Sequence, residues 1–283
     1  MGSDVVIPGR NLEVTGTRYD DELHGSREAD ILDGGRGDDQ VFAGEGRDTV
    51  LGYHGNDQLH GEQGRDLVIS TAGVSTVDGG DGGDWLDAAS PAPTTLLGGA
   101  GFDYMARWIT AGETGVIDGG ADDDQLELLG QVWLDRDPSG ALDAETSTAV
   151  ITAGDDTHTT AFSSVDYFTL WGTPWTFRGT EADDFVQILD DRLDAQGMGG
   201  DDYLLGGDQA DVLDGGEGAD QGWGGRGQNT CIDTEAGDCS GYPWDSTTTR
   251  ARVARLPTTS PARVAPHKLV SRWLNHQTPF VAH

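Results

Sequence analysis

The chain has 283 residues, and 44 of them are glycine, whereas only 10 are proline. Glycine is therefore about twice as frequent as in an average protein, but it does not recur at every third position, which excludes a collagen-like helix. The net charge is −33, and residues 1–239 hold 49 acidic against 11 basic side chains, a balance that disfavours nucleic acid as a partner.

A nine-residue repeat begins at Gly16, after a lead at residues 1–15. Eight consecutive frames fill residues 16–87, for example GGRGDDQVF at 34–42 and GGDGGDWLD at 79–87. Two isolated frames follow at Gly98 and Gly119. We treat residues 16–127 as a first repeat block, because a fixed period of this kind indicates stacked structural units.

Residues 128–178 lack the repeat. The segments STAVITAG, TTAFSSV and YFTLWGT within them are rich in Val, Ile, Thr and aromatic residues, a composition typical of strands. We expect an aromatic-filled β segment that continues or bridges the repeats. A separate small β domain is the alternative.

A second repeat block runs in six frames from Gly179 to Ile232 and closes with CIDTEAGDC, so that block and cap cover residues 179–239. A disulfide between Cys231 and Cys239 could pin the last turn, and two reduced, buried thiols are the alternative. Residues 240–283 form a basic, Pro- and Thr-rich tail. For this tail we predict disorder, with at most a short terminal helix.

Two columns of the repeat are nearly invariant. The eighth position is aliphatic, as at Leu23 and Val41. Strands of four residues are not stable alone, but stacked copies would bury this column in a continuous core. The sixth position is aspartate at Asp21, Asp30, Asp39, Asp48, Asp57, Asp66, Asp84, Asp103, Asp124, Asp184, Asp202, Asp211 and Asp220.

The aspartate column predicts a divalent cation. Glycine-rich turns bring carbonyl oxygens close together, and the following Asp adds a carboxylate. These are the hard oxygen ligands that Ca²⁺ prefers. Stacked carboxylates without a cation would repel one another, so the column itself predicts a bound cation.

The pattern G-G-x-G-x-D-x-U-x, with U apolar, resembles the RTX (repeats-in-toxin), or hemolysin-type, calcium-binding repeat family. The resemblance implies an all-β fold, namely a right-handed parallel β-roll (a β-solenoid) in two blocks joined by an irregular β segment. It also implies two repeats per turn, so that each Ca²⁺ lies between loops that are 18 residues apart.

The resemblance implies shared ions for Asp21 with Asp39, Asp30 with Asp48, Asp39 with Asp57, Asp48 with Asp66, Asp184 with Asp202, and Asp202 with Asp220. Loop carbonyls would complete the shells, as at Gly34, Arg36 and Asp38 and, one turn on, at Gly52, His54 and Asn56. The side chain of Asp38 is expected to be dispensable. Ser75, Leu193 and Asn229 replace the sixth-position aspartate, and we expect weak or absent sites there.

No hydrolase, zinc-protease or nucleotide-binding motif occurs in the sequence, so we predict no catalytic site and no cofactor other than several Ca²⁺ ions. No apolar run is long enough to span a membrane, and the chain shows no secretory signal peptide.

We expect a secreted, extracellular calcium-binding protein that folds on binding calcium. A surface adhesin, or the targeting module of a larger enzyme with a cell-surface or glycan partner, is the alternative. A hydrolase within residues 128–178 is disfavoured because that span is short. The acidic surface of a halophilic protein would also explain the charge, although 13 of the 50 acids occupy one column.

Overall fold

The computed structural model describes residues 4–6, 11–89, 92, 94–109, 115–130, 138–153 and 156–241. The chain divides into two units, Met1–Tyr242 and Pro243–His283, and all described residues belong to the first. The disorder and terminal helix that we predict for the tail lie outside the described residues from position 242 onward.

The described residues form 28 short strands and no helix, and therefore no helix long and apolar enough to cross a membrane. The strands are β1 (Asp4–Val6), β2 (Glu13–Thr15), β3 (Glu22–His24), β4 (Ile31–Asp33), β5 (Gln40–Phe42), β6 (Glu45–Gly46), β7 (Thr49–Gly52), β8 (Gln58–His60), β9 (Gln63–Gly64), β10 (Leu67–Ser70), β11 (Thr76–Gly82), β12 (Trp85–Ala88), β13 (Thr95–Ala100), β14 (Tyr104–Ile109), β15 (Val116–Ala121), β16 (Gln125–Gly130), β17 (Ser139–Asp143), β18 (Thr148–Ala153), β19 (Asp156–Ser163), β20 (Tyr167–Trp171), β21 (Trp175–Arg178), β22 (Phe185–Ile188), β23 (Leu193–Gly199), β24 (Tyr203–Leu205), β25 (Val212–Glu217), β26 (Gln221–Trp223), β27 (Thr230–Ile232) and β28 (Ala236–Asp238).

The strands alternate between two sheets, so that two repeats make one turn of a solenoid. Sheet B has twelve strands in the order β2-β4-β7-β10-β12-β14-β16-β20-β22-β24-β26-β28, and sheet A has sixteen. Partners within a repeat block are parallel and mostly 18 residues apart, as for Val50 with Val68 and Val68 with Leu86, and this separation grows to 19 and then 21 residues at the end of the first block. The predicted all-β parallel solenoid is confirmed.

Sheet A departs from this parallel order at one place. Strands β17, β18 and β19 form an antiparallel meander, with β19 parallel to β15 on one side and β17 parallel to β21 on the other. Sheet B passes the same level without interruption, because β20 pairs with both β16 and β22. The predicted strands STAVITAG, TTAFSSV and YFTLWGT correspond to β18, β19 and β20.

The core is the eighth column of the repeat, enclosed between the two sheets. Leu23, Val41 and Leu59 are completely buried, as are their counterparts along the first block. Where the repeat is missing, larger side chains fill the same space, among them Phe168 and Trp175. Burying each such aliphatic or aromatic side chain contributes roughly 1.5–3 kcal/mol, which explains why strands of three or four residues persist.

The last turn is closed by a disulfide between Cys231 and Cys239. Cys231 lies in β27, and Cys239 directly follows β28. The bond therefore ties together the final strands of the two sheets. The predicted disulfide is confirmed, and the described residues include no free cysteine.

Substituting alanine for Gly200 should lower stability far more than the same change at its neighbour Gly199. Gly200 has φ of +106°, and a Cβ there would overlap the backbone of Ala182 on the preceding turn, whereas the nearest atom to a Cβ at Gly199 is the flexible end of Glu181 at 3.0 Å. A strained left-handed residue costs about 1–3 kcal/mol. Thermal melts of both variants measure the difference, and equal midpoints would contradict the turn assignment.

Candidate metal centre

The thirteen sixth-position aspartates are all buried, each with at most 9% of its surface exposed. Each one stands directly before a strand, at the point where a glycine-rich turn enters a sheet. Burying a carboxylate is unfavourable unless it is paired or hydrogen-bonded, so the partners of these side chains define the site.

In eleven of these aspartates, Oδ1 accepts a backbone N–H from the turn before it. The backbone N–H of Asp21 donates to Oδ1 of Asp39 at 2.8 Å, and that of Asp39 donates to Oδ1 of Asp57 at 3.0 Å. The same bond joins Asp30 to Asp48, Asp48 to Asp66, Asp66 to Asp84, Asp84 to Asp103, Asp103 to Asp124, Asp184 to Asp202, and Asp202 to Asp220. The six pairs that we expected to share ions are thus in direct contact.

The other carboxylate oxygen, Oδ2, divides the column into two groups. In four aspartates it accepts an N–H from the second position of its own loop, namely Thr17 to Asp21, Ser26 to Asp30, Thr180 to Asp184 and Gly207 to Asp211. In nine aspartates it is buried without a hydrogen-bond partner, namely Asp39, Asp48, Asp57, Asp66, Asp84, Asp103, Asp124, Asp202 and Asp220.

A second oxygen lies close to this unpartnered Oδ2 atom, beside the glycine that begins the loop. A Cβ built on Gly79 would lie 2.6 Å from Asp84 Oδ2 and 2.6 Å from the carbonyl oxygen of Gly98 on the next turn. At Gly61 the corresponding distances, to Asp66 Oδ2 and the Gly79 carbonyl oxygen, are 2.8 and 2.5 Å. Two acceptor oxygens therefore converge on a space that only glycine leaves open, which fits a hard cation.

The protonation of these carboxylates reflects their crowding. Burial, together with the charges of neighbouring aspartates, raises the pKa of Asp66 to about 7 and that of Asp103 to about 8, although a backbone N–H from the preceding turn acts in the opposite direction. Without a cation, part of the column therefore holds protons near neutral pH.

The predicted carbonyl ligands occupy two adjacent turns. Arg36 and His54 form a parallel bridge between these turns. Two of the carbonyls already accept a backbone N–H, at His54 from Gly37 and at Gly52 from Thr71, both at 3.0 Å. The remaining predicted carbonyls belong to Gly34, Arg36, Asp38 and Asn56.

The side chain of Asp38, which we expect to be dispensable for calcium binding, makes a hydrogen bond between two exposed loops. Its Oδ1 accepts the backbone N–H of Asn56 at 2.7 Å, and its own N–H donates to Asp20 Oδ1 at 2.9 Å. Asn56 Oδ1 in turn accepts the N–H of Val74. At the fifth position, therefore, the later turn donates the N–H and the earlier turn supplies the accepting side chain, whereas at the sixth position the earlier turn donates and the later one accepts.

Four further residues continue the column where the repeat is degenerate. Asp124 donates its N–H to Asp166 Oδ2, and Asp220 donates to Glu235 Oε2. Asp166 could have been found from its spacing, since Asp166 and Phe168 reproduce the sixth and eighth positions of a glycine-free frame. Neutral side chains replace aspartate elsewhere, as Asp57 donates to Ser75 Oγ and Asp211 to Asn229 Oδ1.

No group of three or more His, Cys, Asp or Glu side chains that could hold a metal forms within the described residues. The column accounts for this result, because each loop offers a carboxylate together with backbone oxygens rather than several side chains. Such a donor set suits calcium, which accepts backbone carbonyls, better than zinc or other metals that favour nitrogen or sulfur.

A family model described as RTX calcium-binding nonapeptide repeat (4 copies) matches residues 15–50, 37–68 and 196–231. Among curated proteins, none matches the chain. The matched ranges include nine of the thirteen column aspartates, namely Asp21, Asp30, Asp39, Asp48, Asp57, Asp66, Asp202, Asp211 and Asp220, and six of these nine have an unpartnered Oδ2. The chain carries RTX repeats, and these indicate calcium binding by a β-roll, a structural rather than a catalytic architecture.

In the presence of a chelator, the unfolding temperature of the roll should fall as the pH rises from about 5 to about 8. Aspartate has an ordinary pKa near 3.9, and at Asp66 and Asp103 the folded chain raises it to about 7 and about 8. The stability contributed by the bound protons is complete below the unfolded pKa and is lost as the pH passes the folded values.

Circular-dichroism melts across this pH range measure the effect. In a matched series in saturating calcium, the unfolding temperature should not fall as the pH rises, because the cation keeps the carboxylates ionised. A midpoint that rises with pH in chelator would contradict the assignment.

Proposed function

We propose that this RTX-repeat chain is a secreted calcium-binding β-roll whose folding depends on the ion. The ions would be held at the nine aspartates whose Oδ2 is buried without a partner, together with loop carbonyls such as that of Gly98. The observation that carries the proposal is this set of orphaned oxygens, because a buried acceptor without a donor or a cation is strongly unfavourable.

The charge of the chain supports coupling between calcium binding and folding. Stacked aspartates raise one another's pKa, as Asp84 and Asp124 do for Asp103, so the metal-free column carries repulsion that unfolding relieves. Divalent cations remove this repulsion only when the loops are stacked. Binding free energy then becomes folding free energy.

A location outside the cell is supported by the disulfide at the last turn. Disulfides persist in oxidising compartments and are rare in the cytosol of mesophiles. The same location would supply calcium, so the ion and the oxidised cap would become available together.

Adding calcium to chelated protein at neutral pH should produce a large gain of β signal in far-ultraviolet circular dichroism. Magnesium at the same concentration is the control, and it should act weakly because it demands six oxygens in a rigid octahedron. An identical β spectrum in chelator and in calcium would overturn calcium-dependent folding.

Replacing Asp202 with asparagine should remove bound calcium, whereas the same change at Asp184 should not. Asp202 Oδ2 has no partner, but Asp184 Oδ2 already accepts the N–H of Thr180 at 2.6 Å and its hydroxyl at 3.1 Å. The two aspartates occupy the same position on adjacent turns and are a matched pair. Calorimetric titration gives the number of ions, and an equal loss in both variants would contradict the division of the column.

A further inference from the structure

Five aromatic side chains form a continuous row along one edge of sheet B. We call Phe102, Tyr167, Phe185, Tyr203 and Trp223 the aromatic row. Successive ring centroids are 6.2, 5.5, 5.1 and 4.6 Å apart. Phe102 is exposed, the three middle rings are half-buried and Trp223 is buried. The middle three stand at the seventh position of the repeat, which faces away from the core.

Three exposed carboxylates run beside these rings. We call Asp123, Asp183 and Asp201 the acid row; all three stand at the fifth position of their loops. Phe102 occupies the same fifth position and touches Tyr167, so the two columns adjoin. The charges of Asp123 and Asp166 also contribute, after burial, to raising the pKa of Tyr167.

The acid row has no basic partner among the described residues. Some acids elsewhere have a basic partner, as Asp194 has Arg192 and Asp208 has Arg226. By contrast, strands β16, β20, β22, β24 and β26 contain no lysine or arginine. Backbone bonds from the next turn, such as that from Asp201 N to Asp183 Oδ1 at 2.7 Å, use only one oxygen of the carboxylate.

We propose that the aromatic row and the acid row together bind an arginine-bearing, extended segment of another protein. A guanidinium group stacks on aromatic rings and at the same time pairs with a carboxylate, which lysine does less well. Successive rings lie 4.6–6.2 Å apart, near the strand spacing of about 4.8 Å, and Asp183 and Asp201 stand on adjacent turns, so more than one arginine finds an equivalent position. Charge complementarity selects this partner over a neutral polysaccharide, which would use the rings but leave the acid row without a role.

Anisotropy of a labelled oligoarginine peptide, in saturating calcium, tests the proposal. The variant Phe185→Leu should weaken binding roughly threefold, as expected for one exposed cation–π contact. The control is Phe42→Leu, which removes a ring from a separate stack between His24 and His60 and should leave affinity unchanged. Tyr167→Leu tests the same point should Phe185→Leu fail to fold, as judged by circular dichroism.

The charge contribution has its own matched pair. Asp183→Asn should weaken binding and reduce its dependence on salt, whereas Asp20→Asn should do neither, although both aspartates are fifth-position residues that accept a backbone N–H from the next turn. If Asp183→Asn and Asp20→Asn change the peptide affinity equally, and Phe185→Leu and Phe42→Leu also do so, the peptide binds through net charge alone and the proposal is overturned.

Two further probes separate the classes of partner. An oligolysine peptide of the same length should bind more weakly than oligoarginine. Ring-dependent binding of a neutral oligosaccharide, combined with ring-independent binding of oligoarginine, would overturn the proposal in favour of a glycan. Because every variant is measured as folded, calcium-loaded protein, a failure here leaves the calcium function untouched.

Discussion

The solenoid depends on one repeated hydrogen bond, from the backbone N–H of a sixth-position aspartate to the carboxylate one turn further on. This bond fixes the stacking distance of the turns and directs each carboxylate into the protein rather than toward water. It also uses only half of the carboxylate. The second oxygen must find a loop N–H, a proton or a cation, and the whole chemistry of the chain follows from which of the three it finds.

Whether Oδ2 has a hydrogen-bond partner depends on the orientation of one backbone N–H, that of the second residue of the loop. Where the second loop residue turns its N–H inward, as Thr180 does, the carboxylate is satisfied without help. Where it does not, as beside Asp84, Oδ2 is buried without a hydrogen-bond partner. A single repeat sequence thus produces loops whose carboxylate is satisfied within the protein and loops whose carboxylate is not, and it is the latter that we propose bind calcium.

Most of the architecture could be predicted because two columns of the sequence each serve one physical purpose, burial of an aliphatic side chain and placement of a carboxylate. The contact of Asp21 with Asp39 follows from the nine-residue period together with the two repeats per turn that the family resemblance implies. The reversal of strand direction at β18 could not be predicted, since its Val, Ile and Thr content suits either direction. Which loops leave Oδ2 without a partner could not be predicted either, because aspartate occupies the sixth position in both kinds of loop.

The antiparallel meander has a consequence for how the molecule comes apart. In a solenoid each turn contacts only its neighbours, so cooperativity is limited by the weakest junction. Sheet B crosses the level of β17–β19 directly, but sheet A crosses it through three strands whose turns contain no calcium-type loop. Under the proposed coupling of calcium binding to folding, the two repeat blocks would therefore respond separately to their own ions, although they share one continuous sheet.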